Sequence, residues 1–270
     1  MPELPEVETI RSGLEPLLID RTIADVCIRQ AQLRYRIPAD LAASVSGQRI
    51  TALQRRAKYL LLQVEEGTIL IHLGMSGSLR YLRTEQAPER HDHLDFVLDT
   101  GILRYRDPRR FGLVLWHPAT APGHRLLDKL GPEPLGDVFT PDYLAHRGVG
   151  SKRALKNFIM DSHVVVGVGN IYANEALFLA RIHPLRPAGT LSRPEWETLH
   201  RHIVGVLQRA IKAGGTTLQD FVDGSGKPGY FQQQLLVYGR DKEPCPECGT
   251  ILAKQMIGQR SSWFCPACQS

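Results

Sequence analysis

The chain opens Met1-Pro2-Glu3, a start whose residue types could do covalent chemistry. Met followed by Pro is a good substrate for removal of the initiator methionine, which would leave Pro2 with a free secondary amine at the start of a helix. An α-amine titrates near ~7.7 to 8, and the positive end of a helix lowers that value, so a neutral nucleophilic fraction exists at neutral pH. Attack of a secondary amine on an aldehyde-level carbon gives an iminium, which is covalent catalysis of the lysine Schiff-base kind. Glu3, next along, is a carboxylic acid able to move protons at the same carbon. The plain alternative is that Pro2 and Pro5 only start a helix at its permissive first turn.

The other chemically loaded place is the far end. Four of the five cysteines form two CxxC pairs, Cys245-Pro246-Glu247-Cys248 and Cys265-Pro266-Ala267-Cys268, with sixteen residues between them. Two such pairs at this separation fit a tetrahedral structural zinc site, each pair biting the metal from one turn while the intervening segment closes a hairpin. A redox dithiol is the competing reading, and the doubled pair with no adjacent βαβ pattern speaks against it. Zinc deaminases of nucleobases also carry a Pro-Cys-x-x-Cys run but need an upstream His-x-Glu, and this sequence has none. A closed four-thiolate site leaves no position for water, so the zinc is expected to hold structure only. A tail of ~25 residues cannot build a core and depends on the metal to fold. Arg260, inside the hairpin, is the cation it would present, with Lys254 a rival on charge alone. Cys27, alone in an apolar run, reads as a buried small side chain.

Composition narrows the class of partner. Thirty-three Lys and Arg against 28 Asp and Glu give a net charge of +5, and the basic residues gather in runs: Arg55 to Lys58, Arg104 to Arg110, and Lys152-Arg153 with Lys156. Placement of this kind favours a polyanion, although each run could be a solvated face. No apolar stretch approaches the ~20 residues that span a bilayer, and the start lacks the basic-then-apolar order of a signal peptide. A soluble cytoplasmic monomer, with no membrane partner, is therefore expected.

These residues need elements to position them. Val7, Ile10, Leu14 and Leu17 fall at helical spacing over residues 3–18, with Glu6 and Glu8 in the first turn, where the dipole favours acids. From about 22 to 117 the pattern changes to short strands with Gly and Pro punctuation: 22–29, 59–64, 68–73, 78–82, 94–98, 102–106 and 113–116, which suggests a β-sandwich. After Gly131-Pro132 the spacing predicts helices over 143–146, 153–161, 171–180 and 192–213. The last opens with Ser192 and Glu195 in capping-box spacing and ends at Gly214-Gly215. Residues 216–230, rich in Gly, Ser and Asp and without periodicity, are expected to form a mobile loop. The fold class is thus α+β, divided into an N-terminal helix plus β-sandwich domain (1–131), a helical domain with the loop (132–230) and a zinc-finger hairpin (231–270).

Several motifs together resemble bacterial formamidopyrimidine-DNA glycosylase. They are Pro2-Glu3-Leu4-Pro5-Glu6-Val7-Glu8-Thr9, Arg56-Ala57-Lys58-Tyr59-Leu60, His72-Leu73-Gly74-Met75-Ser76-Gly77, Asp107-Pro108-Arg109-Arg110-Phe111-Gly112 and Gly167-Val168-Gly169-Asn170-Ile171-Tyr172. The zinc hairpin resembles that family too, so the likeness runs from Pro2 to the last cysteine. It implies a helix-two-turn-helix arrangement in the middle domain. The implied activity is base excision repair of duplex DNA: release of oxidised purines such as 8-oxoguanine and formamidopyrimidines, then strand cleavage by β,δ-elimination.

The resemblance also implies roles. Pro2 attacks C1′, Glu3 is the proton donor to the sugar ring, Lys58 the proton donor or phosphate ligand for β-elimination, and Arg260 its counterpart for δ-elimination. Reaching C1′ requires extruding the nucleotide, and something must fill the gap. Met75, Arg109 and Phe111 match the family's gap-filling set, with Arg109 placed to read the orphaned cytosine. By themselves Met75 and Phe111 are core candidates, but both sit in Gly-flanked turns. Asn170, at a helix start after Gly167 and Gly169, faces a phosphate in this reading. His91, Lys152, Lys156 and Tyr238 match or approximate DNA-contact positions, with Ser151 departing from a more lysine-rich run. The loop from Thr216 to Lys227 would close over the flipped purine. The related endonuclease VIII type, which starts Pro-Glu-Gly-Pro and lacks this trio, is opposed by Leu4, Met75, Arg109 and Phe111. A non-catalytic DNA-binding protein of the same fold is opposed by Pro2, Glu3 and Lys58.

Overall fold

A computed structural model describes residues 2–215 and 234–270, and these fall into two compact units. The first comprises the chain to Asp128 together with the segment from Ala213; the second comprises Lys129–Lys212 and the chain from Phe231.

The first unit begins with helix α1 (Leu4–Leu18). Glu6 reaches back to accept a hydrogen bond from the Glu3 amide at 2.8 Å, which satisfies one of the orphan donors at the helix start. The helical stripe Val7, Ile10, Leu14 and Leu18 is wholly buried. It packs into one core with residues of two antiparallel four-stranded sheets. Strands β1 (Ile23–Ile28), β5 (Ser78–Leu82), β6 (Asp92–Leu98) and β7 (Ile102–Arg106) build one sheet in the order β1-β6-β7-β5. Strands β2 (Ile50–Arg56), β3 (Tyr59–Val64), β4 (Gly67–His72) and β8 (Leu113–Pro118) build the other, in sequence order. A short helix α2 (Leu41–Val45) buries Leu41 and Val45 on the same core.

Besides α2, two features of this unit were not expected from the sequence. Strand β2 escapes the alternation rule because its register shifts between Ile50 and Ala52, leaving Ile50 and Leu53 buried at a spacing of three. Cys27 is exposed, which corrects the reading of a buried thiol: β1 is an edge strand whose inward positions are Ile23 and Val26, so Cys27 points the other way.

The second unit is helical, with α3 (Pro141–Gly148), α4 (Leu155–Ile159), α5 (Asn170–Leu179) and α6 (Arg193–Lys212). Thr140 caps α3 by accepting from the Tyr143 amide at 3.1 Å, and Glu195 accepts from the Ser192 amide at 2.7 Å at the start of α6. Trp196, Leu199, Ile203, Val206 and Leu207 bury one face of α6. The chain closes with an antiparallel hairpin of β9 (Ala253–Ile257) and β10 (Arg260–Phe264). No helix of the described residues is long and apolar enough to cross a membrane.

Candidate active site and metal centre

In the first unit, Pro2 is buried immediately ahead of α1, and Glu3, at the N-cap, is only 2% exposed. A carboxyl and a proline nitrogen are thus held together at the positive end of a 15-residue helix. Lys58 lies in the two-residue turn between β2 and β3, where Ala57 adopts a left-handed conformation (φ 56°). His72 ends β4, packs its ring on Tyr59 at 4.9 Å and accepts through Nδ1 from the Gly74 amide at 2.9 Å. Burial, then the nearby charges of Lys58 and Arg34, push its pKa down to about 4, so the ring is neutral at pH 7 with its proton on Nε2.

Two turns follow from the ends of the second sheet. The first, after β4, exposes Met75 (42%); its backbone closes through Gly77 N donating to the Leu73 carbonyl at 2.8 Å. The second, before β8, exposes Phe111 (46%) and Arg109, whose guanidinium carbon stands 4.6 Å from the centre of the Phe111 ring. A Cβ on Gly74 (φ +64°) would come within 2.5 Å of the Phe111 backbone, so only glycine allows the two turns to abut. Met75, Arg109 and Phe111 therefore do come together. With Leu33, Arg34 and His72 they line a cavity of about 590 Å³. His72 and Arg34 were missed as members of this wall; His72 was visible inside a motif, whereas Arg34 lies far off in sequence and is held there by its amide's bond to the Gly112 carbonyl, 3.1 Å. His91 is half-buried in the turn before β6, with its carbonyl accepting from the Asp107 amide at 3.1 Å.

In the second unit, Lys152 is exposed between α3 and α4. Asn170 is the first residue of α5; its Nδ2 donates to the Ser261 carbonyl at 3.1 Å, while its buried Oδ1 has no partner among the described residues. Tyr238 donates its amide to Glu175 Oε1 at 2.8 Å and lays its ring against Trp263 at 4.6 Å. Arg260 opens β10, exposed, beside a tight turn in which Gly258 and Gln259 both have positive φ. Lys156 departs from expectation. It is completely buried and donates to the Ser261 carbonyl at 2.9 Å and to Ser262 Oγ at 2.5 Å, so it fastens the strand that carries Arg260 and is not exposed to a DNA backbone.

The four cysteines of the tail converge. All their sulfurs lie within 4.8 Å of one another, with Cys245 to Cys268 at 4.0 Å and Cys248 to Cys265 at 3.5 Å. Four thiolates ~2.3 Å from one tetrahedral zinc would be about 3.8 Å apart, so Cys245, Cys248, Cys265 and Cys268 fit one structural zinc. The segment 216–233, which includes the expected lesion-covering loop, lies outside the described residues.

Comparison with known proteins matches three family models along the chain. Residues 1–114 match the formamidopyrimidine-DNA glycosylase N-terminal domain, 130–222 the H2TH domain of the same enzymes, and 242–270 a zinc finger found in FPG and IleRS. A formamidopyrimidine-DNA glycosylase from Cellvibrio japonicus is 55% identical, with all of both chains covered. Among solved structures, the MutM (Fpg) protein from Thermus thermophilus superposes with a TM-score of 0.90 at 39% identity, covering 99% of this chain and 98% of that one. A structure of MutM in complex with carbocyclic 8-oxo-G containing DNA gives a TM-score of 0.92 at 33% identity, covering 100% of each chain.

Proposed function

The chain belongs to the formamidopyrimidine-DNA glycosylase family, and from that premise we propose that the amine of Pro2, freed by removal of Met1, is the nucleophile of a glycosylase and lyase acting on oxidised purines in duplex DNA. The Pro2 nitrogen attacks C1′ as the bond to the base breaks; the electron pair leaves with the base, which takes up a proton as the Pro2 nitrogen gives up its own. Glu3 gives a proton to the sugar ring oxygen, so the ring opens and an iminium forms between Pro2 and C1′. Loss of a proton from C2′ then expels the 3′ phosphate, and a second elimination expels the 5′ phosphate. Lys58 serves the first elimination and Arg260 the second, each as proton donor or phosphate ligand.

The observation that carries this reading is the pairing of buried Pro2 with a Glu3 carboxyl at 2% exposure at the head of α1. That carboxyl also accepts from the Glu6 amide in a capping box, which fixes it at the helix start next to Pro2. The gap-filling reading of Met75, Arg109 and Phe111 is supported by their exposure on abutting turns, where core residues are not expected. Arg109 can donate two hydrogen bonds to O2 and N3 of an unpaired cytosine, worth ~1 to 3 kcal/mol against adenine. We place His91, Lys152, Asn170 and Tyr238 against the DNA backbone. The working modules are 1–131, 132–230 and 231–270, in a monomer of the bacterial cytoplasm.

The test is direct. Pro2→Gly should slow base release and reduce the product trapped by borohydride on 8-oxoguanine DNA, with DNA binding retained. Protein shown by mass spectrometry to keep Met1 should form no trapped product; full turnover by such protein would end the proposal.

A further inference from the structure

Asp107 has no role in the chemistry above, yet it is one of the most enclosed acids of the described residues, at 0% exposure. Its carboxylate accepts four hydrogen bonds, three from the two gap-filling turns and one from Tyr105 of β7. Oδ1 accepts from Ser76 Oγ at 2.8 Å and from the Arg109 amide at 3.3 Å. Oδ2 accepts from the Gly112 amide at 2.8 Å and from the Tyr105 hydroxyl at 3.3 Å. Ser76 closes the link a second time, because its Oγ also accepts from the Arg109 amide at 3.2 Å. The Asp107 carbonyl meanwhile is bonded to Arg110 N at 3.2 Å and to His93 Nε2 at 2.7 Å.

We propose that Asp107 and Ser76 are positioning residues that lock the turn bearing Met75 to the turn bearing Arg109 and Phe111, so that the three probes enter the duplex as one preset unit. The inference rests on the gap-filling reading of those three side chains. Filling an emptied nucleotide position with separate flexible turns would cost ordering entropy at each; a shared buried anchor settles that cost during folding. The carboxylate cannot be replaced by an amide. The two backbone N–H groups approach different oxygens, so the NH2 of an asparagine would face either the Arg109 or the Gly112 amide, donor against donor. Ser76 is the part of the lock that can be removed gently, since its loss leaves the Gly112 bond and one Arg109 bond in place.

The experiment is a double-mutant cycle in single-turnover excision of 8-oxoguanine opposite cytosine. Met75→Ala, Arg109→Ala and the pair are measured in the native chain and again in the Ser76→Ala background. In the native chain the loss for the pair should be at least fivefold smaller than the product of the single losses, the mark of probes that act together. In the Ser76→Ala background the losses should multiply to within twofold. A purely structural role for Ser76 would lower the melting temperature and leave the coupling unchanged, and that result would overturn the proposal; so would losses that multiply in both backgrounds. If Met75→Ala and Arg109→Ala each leave excision untouched, the gap-filling reading itself fails. Asp107→Asn, assayed where it folds, should abolish the coupling as Ser76→Ala does, and retained coupling in it would also count against the lock.

Discussion

The turns that present Met75, Arg109 and Phe111 and the hairpin that presents Arg260 both hold exposed side chains in place, and they do so with different materials. Behind the turns stands a sandwich core running from Val7 and Ile10 of α1 through Leu60, Ile71, Phe96 and Leu103. A core of that size fixes the strand ends by burial, and the hydrogen bonds to Asp107 then tie the turns to one another. The hairpin has Val237, Leu252 and Trp263 with Phe178 of α5 behind it, too little apolar surface to order two strands. It relies on four cysteines and on polar clamps from α4 and α5: Lys156 and Asn170 to the Ser261 carbonyl, and Asn174 Oδ1 accepting from the Trp263 amide at 2.9 Å. The lesson is that a small appendage replaces a core with specific bonds, and so becomes separately breakable.

The largest expected effect tests that separateness. Stripping the zinc with a chelator, or Cys265→Ser, should remove stabilisation on the order of 10 kcal/mol from the hairpin and unfold residues 242–270. DNA binding should fall, while the amide protection of the sandwich strands stays as it was. If hydrogen exchange found β9 and β10 still protected after metal loss, the contrast with the sandwich would collapse.

A smaller effect is expected at Lys156. Lys156→Met keeps the volume but takes the ammonium from Ser262 Oγ and from the Ser261 carbonyl; the carbonyl keeps its bond from Asn170 Nδ2, so the cost is the ~1 to 3 kcal/mol of one group left unsatisfied. The hairpin should release zinc to a chelator faster, and the yield of δ-elimination, assigned to Arg260, should fall more than that of β-elimination. Zinc release at the native rate would show that the metal alone secures the strand.

What could be read from the sequence follows the same division. Where one physical rule decides position, the sequence was sufficient: Val7, Ile10 and Leu14 of the α1 stripe, most strands of the sandwich, the capping residues of α6 and the four-cysteine spacing appear as expected, whereas the stripe ends at buried Leu18 and leaves Leu17 half-buried. Strand β2 was hidden because its bulge breaks the period of two, and α2 because five residues carry too little periodicity. Lys156 and Cys27 were misjudged for one reason. Residue type predicts burial only on average, and here a cation found a carbonyl and a hydroxyl inside while a thiol fell on the outer face of an edge strand. The motif Asp107 to Gly112 was visible, but not that its acid ties two turns 31 residues apart in the chain.

The subtlest prediction asks whether the turn bearing Met75 is as insensitive to conditions as its large core suggests. His72 accepts from the Gly74 amide through Nδ1, so protonating the ring would set an N–H against an N–H at the base of that turn. The folded pKa, about 4, lies below the ordinary value of 6.5, so between these limits the unfolded chain binds the additional proton. The stability this group contributes is therefore complete above about pH 6.5, declines as pH falls, and is exhausted near pH 4, with a slope of at most ~1.4 kcal/mol per pH unit. His72→Asn supplies an oxygen that can accept from Gly74 and cannot titrate. Urea midpoints measured from pH 7.5 to 4 should show the native chain losing stability faster than this variant below pH 6.5, the two curves running parallel above it. Parallel curves throughout would mean that the imidazole is as readily protonated folded as unfolded, and that burial and the charges of Lys58 and Arg34 do not hold it neutral.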